Sequence, residues 1–397
     1  MAGLADDLAD VPVVDDHCHS VERDPFAGAP GPLDVATWRA FFTESPDARV
    51  RAEEVASTAF YARLTTEMAR FHGVQQDDGV EADEQAVLAA RAATGTTALT
   101  GRLLRDARVG ALVVDTGFPD PAGALAVAEL AEAGGCRAVS LLRLEPLFEE
   151  LVVTTSGYDE LVEAVRHTLG RARADGWSGF KSVVGYRTGL GVTRWPAAEA
   201  RAAHAAARTE AEGGGTVRLG HKPLLDTLLH LAFEAAAAQE LPVQVHVGYG
   251  DPDADLRLAN PLLLREVLEE RAYRAMPLVL LHSCWPYVRE GAYLAAVYGN
   301  AWLDLSYGIP FLSRGEMRRV GRAALGAAPA SRLMYSSDGA RVPELHWMGA
   351  HDGRRLLGEA LEELVTDGDL TAGQARRTGE RILRDNAWTL YGIGADH

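Results

Sequence analysis

Residues 11–19 read Val-Pro-Val-Val-Asp-Asp-His-Cys-His, an apolar run that ends in two histidines with one residue between them. In an extended strand, residues i and i+2 point to the same side and lie roughly 6.6 Å apart. His17 and His19 can therefore place two imidazoles on one metal ion. Short histidine spacings also occur by chance in solvated loops, so this prediction depends on the rest of the chain.

Short β-rich apolar runs recur along the chain, with helical patterns between them. They are Val11–Asp15, Gly110–Asp115, Ala138–Leu144, Gly179–Val184, Pro242–Val247, Leu278–His282, Ala301–Ser306 and Leu333–Ser337. Eight such strands separated by helices are typical of a parallel sheet buried on both faces, and eight strands close a (β/α)₈ barrel. A doubly wound open sheet is the alternative, but no Gly-x-Gly-x-x-Gly turn follows the first strand. The sequence therefore predicts an α/β fold of the TIM-barrel type.

Two long stretches interrupt this barrel, which is otherwise predicted as one metal-dependent domain over residues 1–397. After the first strand, a helical insertion is predicted over residues 20–106, packed over the barrel mouth, with helices around 33–43, 48–69, 84–93 and 97–106. A second insertion, residues 190–225, follows strand four. It contains Gly213-Gly214-Gly215, which is either a helix stop or a flexible joint.

Composition limits the partners and the compartment. The chain has 397 residues, 47% of them hydrophobic, and a net charge of −17, which argues against nucleic acid or an anionic membrane surface as a partner. Three scattered cysteines form no Cys-x-x-Cys pair, and neither a leader nor a membrane span is evident, so we expect a cytoplasmic protein. A small-molecule substrate is the expected partner, and a homo-oligomer remains open.

Potential metal ligands stand at the carboxyl ends of several predicted strands, which meet at one mouth of a barrel. They are His17 and His19 on strand one, Lys181 on four, His246 on five, His282 on six and Asp338 on eight. A single strand-end histidine is more often a structural residue than a ligand. Ligand types at five strand ends together favour a metal site.

Longer motifs around these residues carry a family resemblance. They are Gly179-Phe180-Lys181-Ser182, Tyr186-Arg187-Thr188-Gly189-Leu190, Val245-His246-Val247-Gly248-Tyr249-Gly250-Asp251, Leu281-His282, Trp285-Pro286-Tyr287 and Tyr335-Ser336-Ser337-Asp338. With the His-x-His of strand one, they make the chain resemble the amidohydrolase superfamily. Within it, the chain looks like the amidohydrolase-related (amidohydrolase 2) domain of nodulin-related and glutamine-synthetase-fused proteins. The resemblance implies one or two divalent metal ions in a (β/α)₈ barrel.

The resemblance also implies roles for these residues. His17, His19, His246 and Asp338 are metal ligands, a donor set that favours Zn²⁺ and tolerates Mn²⁺. Lys181 is either carboxylated by CO₂, so that it bridges two metals, or a salt-bridged or substrate-binding lysine. Asp338 and His282 are the predicted catalytic residues: Asp338 transfers the proton, and His282 stabilises the oxyanion.

Residues after strands three, four and six are candidates for substrate binding. Arg143 and Glu145 form an Arg-x-Glu pair that either contacts substrate or is a structural ion pair. Arg187 can clamp a substrate carboxylate through two parallel hydrogen bonds. Trp285 either walls an acyl or aromatic pocket or only packs there.

The predicted function is that of a metal-dependent hydrolase that cuts the C–N (amide) bond of a small carboxylate-bearing substrate through a metal-activated water. A γ-glutamyl amide is suggested only by the resemblance, because that branch is linked to glutamine-synthetase-like ligases. Two alternatives stay open: a metal-dependent decarboxylase of an aromatic or enol carboxylic acid, and a catalytically silent barrel with a regulatory or interaction role. A carboxylated Lys181 beside two metals favours hydrolysis, whereas an unmodified lysine with one metal leaves decarboxylation open.

Overall fold

The computed structural model describes residues 3–75 and 82–394 of the chain. Its eight strands are β1 (Val13–His19), β2 (Val109–Asp115), β3 (Arg137–Arg143), β4 (Gly179–Ser182), β5 (Val243–Val245), β6 (Leu278–Leu280), β7 (Ala301–Ser306) and β8 (Leu333–Ser336). Each overlaps a strand predicted from the sequence. All residues of β1, β4, β5, β6 and β8 are buried, as expected for apolar strands that are covered on both faces.

The helices occupy most of the connections between strands. They are α1 (Leu4–Leu8), α2 (Val35–Arg39), α3 (Ala59–His72), α4 (Glu84–Ala92), α5 (Thr96–Asp106), α6 (Val127–Gly134), α7 (Leu144–Thr154), α8 (Tyr158–Gly170), α9 (Ala197–Gly214), α10 (Lys222–Gln239), α11 (Arg265–Glu269), α12 (Val288–Val297), α13 (Arg314–Leu325), α14 (Pro343–Thr366), α15 (Ala372–Glu380) and α16 (Asn386–Leu390). Within the two described ranges, none of them combines the length and the apolar composition that crossing a bilayer requires.

The strands are hydrogen-bonded in chain order from β1 to β8, and every pair with a defined register is parallel. The chain after β8 returns to β1. The Asp338 N–H donates to the His17 carbonyl (3.1 Å), and the His19 N–H donates to the Gly339 carbonyl (2.8 Å). These bonds join the last strand to the first, so the fold is a (β/α)₈ barrel. The predicted fold is confirmed, and the open doubly wound sheet is excluded.

The chain forms two compact units. The first contains Met1–Ala138, Leu305–Leu325 and Met334–Trp388, and the second contains Val139–Asp304, Gly326–Leu333 and Thr389–His397. In the first unit, β1 pairs with β2, and the long helix α14 packs against α1, α5, α13 and α15. In the second unit, β3 to β6 pair in order, and α10 packs against α7, α8 and α9.

Several helices lie in the described part of the stretch between β1 and β2, but one predicted helix is divided. Instead of one helix over residues 48–69, a short π-helical segment, Val50–Glu54, comes first, and α3 begins only after Thr58. The Thr58 hydroxyl accepts the Tyr61 N–H, which caps α3 and starts a new helix there.

The triple glycine after strand four is a helix stop. Helix α9 continues through Gly213 and Gly214 and ends at Gly215, whose φ of 75° is left-handed. The bounds of the two insertions, residues 20–106 and 190–225, stay predictions.

Candidate metal centre

Two imidazoles and one carboxylate converge in the first unit, where β1 and β8 end. His17 Nε2 lies 3.4 Å from Asp338 Oδ1, and His19 Nε2 lies 3.6 Å from the same oxygen. Two ligand atoms that are each about 2.1 Å from one ion, at a tetrahedral angle, lie about 3.4 Å apart. Each imidazole therefore lies at a distance from the Asp338 carboxylate that two ligands of one divalent ion adopt, and the donor types fit Zn²⁺ or Mn²⁺.

A fourth polar side chain, Asp115 at the end of β2, was not predicted from the sequence. Its Oδ2 lies 3.8 Å from His19 Nδ1, the ring nitrogen that does not face Asp338. His17, His19 and Asp115 offer ligand atoms that all lie within 4.8 Å of one another, and all three residues are buried. At this distance the contact is electrostatic, and the negative charge of a carboxylate beside an imidazole raises the basicity of that ring toward a metal. The available signal was its place at the end of a predicted strand, the feature that identified His246 and Asp338.

The first turn of α14 adjoins these ligands. His346 donates from Nε2 to the His19 carbonyl (3.0 Å). Burial lowers the pKa of the His346 imidazole to about 4, so the ring is neutral near pH 7. Glu344, two residues earlier, forms a buried ion pair with Arg91 of α4, with Oε1 2.6 Å from Nε. The helical stretch after β1 is thereby tied to the segment that follows Asp338.

In the second unit, the chain brings the histidines after β5 and β6 together. The ring centroids of His246 and His282 are 4.4 Å apart, and both residues are buried. The backbone N–H of His282 donates to the buried Asp304 carboxylate (2.7 Å). The ring nitrogen Nε2 of His246 donates to the Tyr249 carbonyl (2.5 Å). The two predicted residues are therefore neighbours, each held by a polar contact of its own.

Lys181 is a buried residue of β4, with 1% of its surface exposed. By register it is paired with Arg143 of β3 on one side and with Gln244 of β5 on the other. A lysine this deep is rare unless its charge is balanced or modified. Its carboxylation stays a prediction.

Both predicted catalytic residues have an unusual backbone. In the first unit, φ is 53° at Asp338; in the second, it is 61°, 54° and 52° at His282, Ser283 and Cys284. Residues other than glycine seldom adopt this left-handed region, which costs about 1–3 kcal/mol per residue. Strain of this kind persists where the surrounding structure holds a side chain in a required direction, and this supports functional roles for Asp338 and His282.

Glu145, predicted to bind substrate or Arg143, is buried against the end of β4. Its Oε1 accepts the Ser182 O–H (2.7 Å) and the Val183 N–H (2.9 Å). Burial raises the pKa of this carboxyl, and the charge of Arg143 acts weakly in the opposite direction. Glu145 therefore supports the turn after Lys181, and its contact with substrate stays a prediction.

The two other substrate candidates lie in loops of the second unit. Arg187 is 15% exposed, and its Nη2 lies 3.3 Å from Glu149 Oε1. Trp285 lies beside Tyr249, with ring centroids 6.5 Å apart. Gly248 permits this approach, because a Cβ there would lie 2.1 Å from the Trp285 carbonyl oxygen, and its φ is 82°. The loops after β5 and β6 are thus packed tightly together.

Known proteins with similar sequences point to one family. The family model described as Amidohydrolase matches residues 184–393, more than half of the chain. The chain belongs to the amidohydrolase family. The predicted resemblance is confirmed, and the chain is a member of the metal-dependent hydrolase superfamily. The match includes His246, His282 and Asp338, whereas His17, His19 and Asp115 precede it.

Individual proteins are also similar to this amidohydrolase in sequence or in fold. Protein fluG of Emericella nidulans is 36% identical over 220 residues, which are 54% of this chain and 25% of the fungal protein, so the match spans about a quarter of that relative. A Lactobacillus casei crystal structure, provisionally described as a metal-dependent hydrolase, has a TM-score of 0.84 at 28% identity and covers 99% of this chain and 98% of its own. Uronate isomerase from Thermotoga maritima has a TM-score of 0.71 at 14% identity over 98% of both chains, a likeness in fold alone.

Proposed function

We propose that this amidohydrolase cleaves the C–N (amide) bond of a small substrate that carries a carboxylate. One observation carries the proposal: His17 Nε2 and His19 Nε2 both face Asp338 Oδ1, at 3.4 and 3.6 Å. Two imidazoles and a carboxylate, at the carboxyl ends of barrel strands, are the ligand set and the location that hydrolytic metal sites use. A silent scaffold has no need for this arrangement.

A divalent ion would be held by His17, His19 and Asp338, with Asp115 behind His19. When bound, the ion supplies Lewis acidity, which polarises a carbonyl oxygen and acidifies water. The side chains of the two histidines are 0% and 9% exposed and that of Asp338 is 18% exposed, so solvent screens their interactions little.

We assign proton transfer to Asp338. The Asp338 carboxylate takes a proton from the attacking water and returns it to the leaving amine. On the strength of the family motif alone, we assign His282 to stabilise the negative charge that develops on the carbonyl oxygen. His246 and Lys181 enter the proposal as further ligands on the strength of the family motif alone.

Arg187 is the residue that we assign to the substrate carboxylate. Its Nε has no hydrogen-bond partner within residues 3–75 and 82–394, although the atom is buried. A buried guanidinium N–H without a partner costs free energy, which a carboxylate ligand would recover through a charge-assisted bond. A γ-glutamyl amide combines a free carboxylate with a scissile amide, and it is the substrate class that we propose.

The test is an assay of the purified, metal-loaded protein. Protein loaded with Zn²⁺ or Mn²⁺ is incubated with γ-glutamyl amides and with aromatic carboxylic acids, and released amine and CO₂ are measured separately. We expect amine release that a chelator abolishes. Asp338→Asn should remove turnover, because an amide cannot take the proton. Asp367→Asn, which changes an exposed partner of Arg322 at 3.0 Å, is the control that keeps activity.

Two outcomes would contradict this function. Release of CO₂ without amine would identify a decarboxylase on the same ligands. An Asp338→Asn variant as active as the parent would remove the aspartate from the chemistry.

A further inference from the structure

Asp15 lies two residues before the first metal-binding histidine, yet its carboxylate is bonded to a residue beyond the end of β8. Its Oδ1 accepts the Ser337 N–H (2.8 Å), and its Oδ2 accepts the Ser337 O–H (2.5 Å). Asp15 is 1% exposed and Ser337 is 0% exposed. Hydrogen bonds from a neutral donor to a buried carboxylate are stronger than those between neutral groups.

The Ser337 hydroxyl makes a second bond across the turn. It accepts the Gly339 N–H at 2.8 Å, so Asp338 lies between two residues joined by this hydroxyl. The Asp338 N–H and the Gly339 carbonyl are themselves bonded to β1. We call Asp15, Ser337 and Gly339 the clasp.

The clasp holds Asp338 in a left-handed backbone conformation, which an aspartate adopts less often than one with negative φ. The φ of Asp338 is 53°, and a turn to the preferred negative φ would redirect its carboxylate. Packing leaves the turn little room, because a Cβ on Gly339 would lie 2.6 Å from the His346 ring and one on Gly349 would lie 2.7 Å from Ser337 Cβ. The residues around Asp338 therefore set its conformation. Within the clasp, Asp15 supplies the charged group.

We propose that Asp15 is a positioning residue that acts through Ser337 to keep the Asp338 carboxylate facing His17 and His19. The inference rests on the proposed metal-dependent function, because it concerns the alignment of the ligands. Asp15 lies on β1, in the same motif as the two histidines, but its carboxylate contacts the turn that follows β8.

The test compares Ser337→Ala and Asp15→Asn with the full-length parent protein. Zn²⁺ affinity is measured by competition with a chelator, and amide hydrogen exchange is measured on the zinc-free protein. We expect each variant to bind Zn²⁺ at least tenfold more weakly, as for other groups that orient metal ligands. The Gly339 N–H should exchange at least tenfold faster in Ser337→Ala, because its acceptor is lost. The double variant should bind no more weakly than the weaker single variant, because both changes release one turn.

Ser336→Ala is the matched control. Its hydroxyl is also buried and lies 2.8 Å from Ser306 Oγ, one residue before the clasp. Its loss should lower thermal stability and leave Zn²⁺ affinity unchanged. Equal weakening of Zn²⁺ binding by Ser336→Ala would overturn the proposal, and so would unchanged affinity and exchange in Ser337→Ala. A parent protein that binds no Zn²⁺ would end the proposed function, whereas exchange at Gly339 would still decide whether the clasp holds the turn.

Discussion

The buried ion pair between Arg91 and Glu344 predicts a large and non-additive loss of stability on mutation. Arg91 Nε lies 2.6 Å from Glu344 Oε1, and the two side chains are 6% and 0% exposed. The guanidinium also lies over the rings of Trp38 and Phe26, at 5.2 and 5.5 Å from their centroids. Removing one partner of such a pair leaves a buried charge without compensation, which costs about 3–5 kcal/mol.

The magnitudes follow from what each variant leaves behind. Arg91→Met keeps an apolar stem over the two rings and leaves the Glu344 carboxylate unpaired, so we expect the free energy of unfolding to fall by about 3–5 kcal/mol. Glu344→Leu should lower the free energy of unfolding by a similar amount, because it leaves the buried Arg91 guanidinium without its carboxylate partner. The double variant has no charge left at this pair and should lie within about 2 kcal/mol of the parent. The coupling free energy is then at least about 4 kcal/mol, the sum of the single losses less the double loss.

The assay is equilibrium unfolding in urea at pH 7, followed by far-UV circular dichroism, for the parent, both single variants and the double variant. Arg376→Met is the control, because Arg376 and Glu380 form an ion pair at 3.1 Å with side chains 59% and 29% exposed. Its loss should cost less than about 1 kcal/mol. Additive losses in the double variant would show that the two charges do not compensate each other, and the reasoning would be wrong.

Three further predictions concern single residues. Asp115→Asn should weaken Zn²⁺ binding about 10- to 100-fold in chelator competition, because it removes the charge beside His19 Nδ1; unchanged affinity would exclude that role. Gly248→Ala should lower the free energy of unfolding by about 2–4 kcal/mol in urea, because its Cβ would meet the Trp285 carbonyl oxygen at 2.1 Å; a loss below about 1 kcal/mol would mean that the loop relaxes. Burial raises the pKa of the Cys136 thiol from 9.0 to about 11, so its thiolate forms only at higher pH. Iodoacetamide should alkylate Cys136 at pH 8 about 100-fold more slowly than it alkylates an unperturbed thiol. The alkylation rate should rise about tenfold per pH unit up to about pH 10. A fast reaction at pH 8 that is lost in Cys136→Ser would contradict this pKa.

The strands and the ligand candidates could be predicted because both depend on local pattern. A strand buried on both faces needs a run of apolar residues, and a barrel places the residue after each run at one end. His17, His19 and Asp338 were identified in this way. Helix boundaries were less predictable: the Thr58 hydroxyl caps α3 and divides a stretch whose periodicity favoured one helix.

The amino-acid sequence by itself determined the fold class, the family and the residue types available for a metal site. Only the tertiary structure decided which polar groups meet. Asp115 has the same strand-end position as the predicted ligands, and no local pattern shows that it faces His19 Nδ1 at 3.8 Å. Asp15 and Ser337 are 322 residues apart in the chain, and their contact exists because burial of the apolar strands brings β1 beside the end of β8. Periodicity specifies which face a residue occupies, whereas the distance between two faces depends on how the whole core packs.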